Sequence, residues 1–188
     1  MNNNGPKSLN VMVIGAGDMG SKHALHWQAA GAKVVAICDP NEARAKASAD
    51  LVSAKVVTNY KSLLADKDIH AASVCTPTFL HSSISIDCLN AGKHVLCEKP
   101  IALTLNDAQM MKQTALNNQS ELRIGFMRRF DPAIQVLRKK LKHLGTPVYV
   151  SVQIPAGIRP KHAMHDPHGN GGPIIDMLCH HIEKKTKG

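Results

Sequence analysis

Short apolar runs alternate with longer amphipathic segments along the first two thirds of the sequence. The runs are short enough for strands buried on both faces, and the segments between them are long enough for helices. The predicted strands cover residues 9–14, 33–38, 56–57, 71–75, 94–97 and 122–126, and the predicted helices cover residues 19–30, 41–51, 60–65, 80–90, 106–117 and 132–144. This alternation predicts an α/β fold, with a doubly wound parallel sheet covered by helices on both faces.

The pattern changes towards the end of the sequence. A further strand with alternating polarity is expected at residues 148–154, and residues 155–173 then hold four prolines and four glycines, which predicts a loop. We therefore expect a first domain over residues 1–127. An incomplete α+β second domain is expected over residues 128–188.

Composition narrows the classes of protein to consider. Hydrophobic residues make up 44% and charged residues 20% of the 188 residues, as in folded soluble domains. No apolar run approaches the roughly 20 residues of a membrane span, and no apolar signal region follows Met1, so we expect a cytoplasmic protein without a membrane partner. Five cysteines without a Cys-x-x-Cys pair predict reduced thiols rather than a zinc site.

The net charge of +9 raises the alternative of nucleic-acid binding. Much of the excess lies in two short clusters, at residues 138–140 and 184–187, with no aromatic side chains between the basic residues for base stacking. Solvated surface charge explains these clusters more simply. We expect no nucleic-acid partner.

A glycine-rich motif follows the first predicted strand and precedes the first predicted helix. Its residues are Gly15, Ala16, Gly17, Asp18, Met19 and Gly20, which match G-x-G-x-x-G. In this setting the first glycine permits a tight turn, the second allows the backbone to approach a pyrophosphate, and the third allows close packing of helix on strand. The sequence therefore predicts a dinucleotide site in a Rossmann domain, with these six residues contacting the phosphates.

Asp39 ends the second predicted strand, nineteen residues after Gly20. An acidic side chain at this point accepts hydrogen bonds from the adenosine ribose and repels a 2′-phosphate, which favours NAD over NADP. Arg44 is near in sequence and keeps NADP as the less favoured alternative. A purely structural role for Asp39, as a turn residue beside Pro40, also remains open.

Further polar residues follow the fourth and fifth predicted strands. Thr76, Pro77 and His81 come after residues 71–75, at the edge of the sheet where open α/β folds bind ligands, so we expect them to contact the cofactor. Glu98 and Lys99 follow residues 94–97. We expect Glu98 to contact the cofactor as well, although a solvated Glu98–Lys99 charge pair is the simpler interpretation from these residues alone.

Five segments, taken together and in this order, resemble the glucose-fructose oxidoreductase, inositol dehydrogenase and rhizopine-catabolism (Gfo/Idh/MocA) family. They are the glycine motif, residues 75–81, residues 92–100, residues 125–132, and Gly171-Gly172 leading to Asp176 and His180. The resemblance implies an NAD(P)-dependent oxidoreductase acting on sugars, polyols or cyclitols, homo-oligomeric at full length. It also implies that Lys99 contacts the cofactor and lies near the reacting oxygen, as a catalytic residue.

Three more residues enter the candidate site. Asp176 and His180 are four residues apart and share one face of a helix, and the family pattern favours His180 as the general base with Asp176 binding substrate or orienting the imidazole. Arg128 either contacts substrate or braces Asp131. A metal site at the histidines of residues 162–168 is conceivable but not expected, because the surrounding prolines and glycines remove any common helical face.

Two hypotheses of function follow. The first is an NAD-dependent dehydrogenase of the sugar, polyol or cyclitol type. The second is a truncated, non-catalytic dinucleotide-binding protein or regulator, because the sequence stops well short of the usual length of the family and carries Leu178 and Glu183 where glycine and aspartate are usual.

Overall fold

A computed structural model describes residues 8–141 and residue 143. The contacts divide the chain into two compact units, residues 1–125 and residues 126–188. Asp176, His180, the strand expected at residues 148–154 and the proline-rich segment lie outside the described residues. The domain boundary at residues 127/128 and the architecture of the second domain stay predictions.

The first unit contains a six-stranded sheet whose strands all run parallel. The strands are β1 (Asn10–Ile14), β2 (Lys33–Cys38), β3 (Lys55–Val57), β4 (Ala71–Val74), β5 (His94–Cys97) and β6 (Leu122–Ile124). Four α-helices connect them: α1 (Asp18–Ala29), α2 (Glu42–Asp50), α3 (His81–Asn90) and α4 (Leu105–Asn117). This arrangement confirms the predicted doubly wound Rossmann fold.

The order of the strands across the sheet is β3-β2-β1-β4-β5-β6. The chain therefore winds outward from β1 in one direction through β2 and β3, and in the other direction through β4, β5 and β6. A crevice opens at such a reversal, beyond the carboxyl ends of the central strands. In this chain the reversal lies between β1 and β4, and the glycine motif begins at the carboxyl end of β1.

Side chains of alternate residues on β1 enter two different hydrophobic clusters. Met12 and Ile14 pack with residues of α3 and α4, including Leu89 and Met111, whereas Val13 packs on the opposite face with small residues of α1 and α2. Burial on both faces is why the predicted strands have near-continuous apolar sequences. Small alanines on α1 and α2 let both helices approach the sheet closely.

The predicted boundaries differ from the structure by one residue at several element ends, and the short helix expected at residues 60–65 is a 3₁₀ helix at Tyr60–Leu63. The helix expected at residues 80–90 begins one residue later, because a 3₁₀ turn occupies Thr78–Leu80 and α3 begins at His81. The last strand was expected to reach residue 126, but β6 ends at Ile124 and a 3₁₀ turn follows at Met127–Phe130. Apolar composition extends past the point where strand pairing stops, so the sequence overestimates the length of this strand.

The described part of the second unit contains helix α5 (Pro132–Leu141). Asp131 begins this helix, because its Oδ1 accepts a hydrogen bond of 2.9 Å from the backbone N–H of Ala133. The backbone N–H of Asp131 itself donates to the carbonyl of Arg128. The contact between these two residues is thus through the backbone, and a substrate contact of Arg128 stays a prediction.

None of the helices in the described residues combines the length and the apolarity that a bilayer span requires.

Candidate dinucleotide site

The glycine motif forms a tight turn between β1 and α1. Gly15 has φ +95°, and a Cβ on this residue would lie 2.6 Å from the carbonyl oxygen of Cys75. A Cβ on Gly20 would lie 1.7 Å from the carbonyl oxygen of Gly15. Both residues must therefore be glycine for α1 to pack against the ends of β1 and β4.

Gly17 differs from its two neighbours. A Cβ on Gly17 would meet no atom within 4 Å, so no packing contact of the described residues requires a glycine here. Gly17 is also the N-cap of α1, and no side chain caps this end of the helix. Uncapped N–H groups together with open space form a cradle suited to an anion, and a phosphate is the anion that such turns bind.

Asp39 connects the cradle to the end of β2. Its side chain is buried, with Oδ2 accepting from the N–H of Ala16 at 2.9 Å and Oδ1 accepting from the N–H of Asn41 at 2.9 Å. Arg44 Nη1 lies 3.9 Å from Oδ2. The contact with Asn41 gives Asp39 the structural role in the turn that the sequence left open. The contact with Ala16 also holds the glycine motif from beside the cradle.

A groove of about 600 Å³ runs along the carboxyl edge of the sheet beside these residues. Its lining includes residues of the glycine turn, of the β2–α2 connection and of the β4–α3 connection: Gly15, Gly17, Asp39, Asn41, Arg44, Thr76 and Pro77. Among the described residues, Thr76 Oγ1 is buried without a hydrogen-bond partner. A buried hydroxyl in a groove wall provides a hydrogen bond for a polar ligand.

Lys99 follows β5, the strand next to β4, and its peptide bond to Pro100 is cis. The preceding residue, Glu98, is buried: its Oε1 lies 2.9 Å from His23 Nε2, and its Oε2 accepts from the N–H of Lys99 at 3.1 Å. Burial raises the pKa of Glu98, but His23 and the Lys99 N–H together outweigh this effect and bring the pKa below its usual value. Glu98 is therefore a carboxylate at neutral pH.

His81 is almost completely buried, at 1% exposure. Its Nδ1 lies 2.8 Å from the carbonyl oxygen of Pro100, and its Nε2 lies 2.9 Å from that of Thr76. Burial lowers the pKa of His81, against the opposing effect of the two carbonyls. With both ring nitrogens facing backbone oxygens, His81 connects the loops that follow β4 and β5. A direct contact of His81 with the cofactor stays a prediction.

His23, which connects α1 to the segment carrying Lys99, is not among the site residues expected from the sequence. Its Nδ1 lies 2.7 Å from Ser73 Oγ, so the ring joins β4 to Glu98. One signal was available: His23 is three residues after Gly20, so it shares the face by which α1 approaches the sheet. The partners themselves are distant in sequence, and no local pattern identifies them.

Four described cysteines, Cys38, Cys75, Cys88 and Cys97, are free thiols. Burial raises the pKa of each, to about 11 for Cys38 and to about 12 for Cys88 and Cys97. A thiol rather than a thiolate is a poor nucleophile and a poor metal ligand. Within the described residues, no cluster of three or more histidine, cysteine or acidic side chains has the geometry to hold a metal ion.

Comparison with known proteins agrees with this geometry. Residues 9–126 match the sequence profile of GFO_IDH_MocA, the oxidoreductase family with an NAD-binding Rossmann fold. Inositol 2-dehydrogenase of Salmonella typhimurium is 33% identical over 150 residues, which are 76% of this chain and 45% of the relative. The chain thus spans less than half the length of this relative.

Solved structures give a similar result. Myo-inositol 2-dehydrogenase of Lactobacillus plantarum superposes with a TM-score of 0.68 at 30% identity, over 73% of this chain and 42% of the other. Scyllo-inositol dehydrogenase of Lactobacillus casei, solved with bound NAD(H) and scyllo-inositol, has a TM-score of 0.68 at 26% identity over the same shares.

The glycine turn, the acidic residue after β2 and the lysine after β5 lie in the segment that the family profile matches. The chain therefore belongs to the Gfo/Idh/MocA family of oxidoreductases, which has an NAD-binding Rossmann fold.

Proposed function

We propose that this chain is an NAD-dependent dehydrogenase that oxidises a hydroxyl group of a sugar, polyol or cyclitol. The observation that carries the proposal is the groove at the carboxyl edge of the sheet. It joins an uncapped helix N-terminus at Gly17, a carboxylate at Asp39 and a buried hydroxyl at Thr76. These groups suit, in order, a pyrophosphate, a ribose and a polar atom nearer the nicotinamide.

The described residues fit a dinucleotide. In the proposal the backbone from Gly15 to Gly20 holds the diphosphate, Asp39 accepts from the ribose hydroxyls, and Thr76 and Pro77 line the path towards Lys99. His81 stabilises the backbone of this part of the site, because its ring nitrogens contact the carbonyl oxygens of Thr76 and Pro100. When bound, the nicotinamide ring supplies the hydride acceptor or donor.

NAD fits the ribose end better than NADP. Asp39 places a buried negative charge beside the position of the adenosine ribose, and a 2′-phosphate would be repelled by it. Arg44 offers the opposite charge, but its Nη1 lies 3.9 Å from Asp39 Oδ2 and is paired with the carboxylate. The proposal is therefore NAD as the preferred cofactor and NADP as the weaker one.

Lys99 is the proposed catalytic residue of the described chain. An ammonium beside a carbinol carbon polarises the C–O bond and stabilises the oxygen as it gains negative charge. His180 and Asp176, which lie outside the described residues, complete the proposal: His180 accepts the proton of the hydroxyl, and Asp176 binds substrate or orients the imidazole. Arg128 is proposed as a further substrate contact.

The substrate class comes from the relatives. The bacterial proteins compared above are inositol dehydrogenases, and one of them was solved with scyllo-inositol. Because this chain covers less than half of their length, catalysis by the 188 residues is tested separately from binding.

The test is an initial-rate assay of NADH formation with myo-inositol and scyllo-inositol, run with wild-type protein and with Lys99→Met. The proposal expects turnover in the wild type and a loss in kcat of at least about a hundredfold in Lys99→Met, with NAD binding still measurable in both. NAD binding without turnover of any polyol or sugar would instead support the second hypothesis, a non-catalytic dinucleotide-binding protein.

A further inference from the structure

Three polar side chains form a buried chain beneath the carboxyl edge of the sheet. Ser73 Oγ lies 2.7 Å from His23 Nδ1, and His23 Nε2 lies 2.9 Å from Glu98 Oε1. His23 and Glu98 are 75 residues apart in sequence, and their side chains are 11% and 8% exposed. Buried polar groups joined over such a distance fix the relative positions of the elements that carry them.

The order serine–histidine–carboxylate is also that of a nucleophilic triad, and the structure excludes this role. Ser73 is 0% exposed and lies within β4, between neighbouring strands of the sheet. A nucleophilic hydroxyl must reach a substrate carbon, and no substrate reaches a side chain in this position. The three residues are therefore a structural connection and not a hydrolytic site.

Glu98 uses both of its carboxylate oxygens in the connection. Oε1 contacts the ring of His23 on α1, and Oε2 accepts from the backbone N–H of Lys99. The same carboxylate occupies space that a side chain at position 125 would take, since a Cβ on Gly125 would lie 2.9 Å from Oε1. The carboxylate is thus held by two hydrogen bonds and lies close to Gly125, and one of these bonds goes directly to the residue that carries the proposed catalytic amine.

We propose that His23 is a positioning residue for Lys99: through Glu98 it fixes the backbone from which the Lys99 amine extends. The inference rests on the proposed function for its catalytic consequence, but the positioning itself is independent of turnover. His23 lies on the helix that begins at the phosphate cradle, so the contact ties the location of the amine to the location of the cofactor's diphosphate. A displacement of about 1 Å at a reacting group can lower a rate by about a hundredfold.

The two ring nitrogens can be replaced separately. A glutamine amide nitrogen reaches about as far along the side chain as Nε2 and keeps a donor towards Glu98. An asparagine amide reaches about as far as Nδ1 and keeps the contact with Ser73 alone. The proposal assigns the effect on Lys99 to the Nε2 contact, so glutamine should substitute for histidine and asparagine should not.

The experiment compares His23→Gln, His23→Asn and His23→Leu with wild type in the full 188-residue chain. One readout is the rate at which trinitrobenzenesulfonate modifies Lys99, followed by peptide mass spectrometry. The second is the pair kcat and KM for NAD with myo-inositol. We expect His23→Asn and His23→Leu to change the labelling rate of Lys99 at least about threefold and to lower kcat about tenfold or more, with KM for NAD within about twofold. His23→Gln should stay near wild type in both.

His26, three residues further along α1 and exposed, provides the matched control. His26→Gln and His26→Asn should leave the Lys99 labelling rate and kcat unchanged. If His23→Leu does not fold, the comparison of His23→Gln with His23→Asn tests the proposal by itself. The proposal is overturned if His23→Gln and His23→Asn give the same labelling rate. A wild type without turnover, but with labelling that differs between these two variants, would reject the proposed function and retain the positioning role.

Discussion

At the scale of single residues, the three glycines of the cradle have different roles. Gly15 and Gly20 are required by packing, because an added Cβ would lie 2.6 Å and 1.7 Å from backbone oxygens. Gly17 has no such neighbour and faces open space. The structure thus separates the two glycines that packing requires from Gly17, for which we propose a role in binding a ligand.

A pair of substitutions tests this separation. Gly20→Ala should lower the free energy of unfolding by about 3 kcal/mol, the upper end of overpacking costs, because the methyl group displaces α1 from Gly15. Gly17→Ala should change the free energy of unfolding by less than about 1 kcal/mol yet weaken NAD binding about tenfold, through the methyl group in the cradle. Urea unfolding and calorimetry measure the two effects, and equal stability losses in both variants would contradict the assignment.

Asp39 has two functions that a conservative substitution can separate. Asp39→Asn removes the negative charge that disfavours a 2′-phosphate, so the ratio of NADP affinity to NAD affinity should rise about tenfold or more. Loss of charge-assisted bonds to the Ala16 and Asn41 N–H groups should also lower the unfolding free energy by about 1.5 kcal/mol. Asp50→Asn at the carboxyl end of α2, where the carboxylate is exposed and pairs with Lys46, is the control and should leave the affinity ratio unchanged.

At the scale of secondary-structure elements, histidines connect α1 and α3 to the loops at the carboxyl edge. His23 extends from α1 to Glu98, and His81 at the start of α3 lies between the carbonyls of Thr76 and Pro100. The residues on either side of Lys99 are therefore each held by a histidine from a different helix. This arrangement fixes the backbone of the loop on both sides of Lys99.

The burial of His81 gives the stability of the fold a pH dependence. The pKa of His81 is lowered from 6.5, so the unfolded chain takes up a proton that the folded chain resists. The contribution of His81 to the free energy of unfolding is therefore fully present above about pH 6.5. It decreases as the pH falls below that value towards the folded pKa, by about 1.4 kcal/mol per pH unit for one proton. Glu98 titrates from a lowered pKa, below 4.5, and does not contribute in this range.

Chemical unfolding at about pH 7 and about pH 5 measures this slope. His81→Asn should be less stable than wild type at pH 7 and should lose less stability on acidification. His26→Asn, at an exposed position on α1, should keep the wild-type slope. An unchanged slope in His81→Asn would show that other groups set the pH dependence.

The strands also determine the chemistry of the cysteines. Cys38 and Cys97 end β2 and β5, and both thiols have pKa values raised by burial, to about 11 and about 12. We expect iodoacetamide at neutral pH to leave Cys38, Cys88 and Cys97 unmodified in the folded chain and to alkylate all three in urea. Peptide mass spectrometry distinguishes the sites, and rapid alkylation of Cys97 in the folded chain would contradict the burial of β5.

At the scale of the whole molecule, local patterns in the sequence predicted the fold well. Strands β2 and β5 have the bounds that their apolar runs predicted, because polar or turn residues limit both runs. The glycine motif located the cradle for a similar reason, since a tight turn followed by a helix leaves a periodic and local signature. These features depend on residues that are close in sequence.

The contacts that support the site could not be predicted in this way. His23 meets Glu98 across 75 residues, and Asp39 meets Ala16 across 23, so each pair forms only once the sheet has brought the elements together. His81 was expected to contact the cofactor because it follows β4 at the ligand edge. Its position in the structure depends on the packing of α3 against the β5 loop, which no local pattern contains.

A calorimetric titration of the folded 188-residue chain with NAD and with NADP tests the proposed dinucleotide site without requiring turnover. We expect saturable binding of one NAD per chain, weaker binding of NADP, and at least a tenfold loss of NAD affinity in Gly17→Ala. The absence of saturable heat with either dinucleotide, from protein that unfolds cooperatively in urea, would contradict the proposed site.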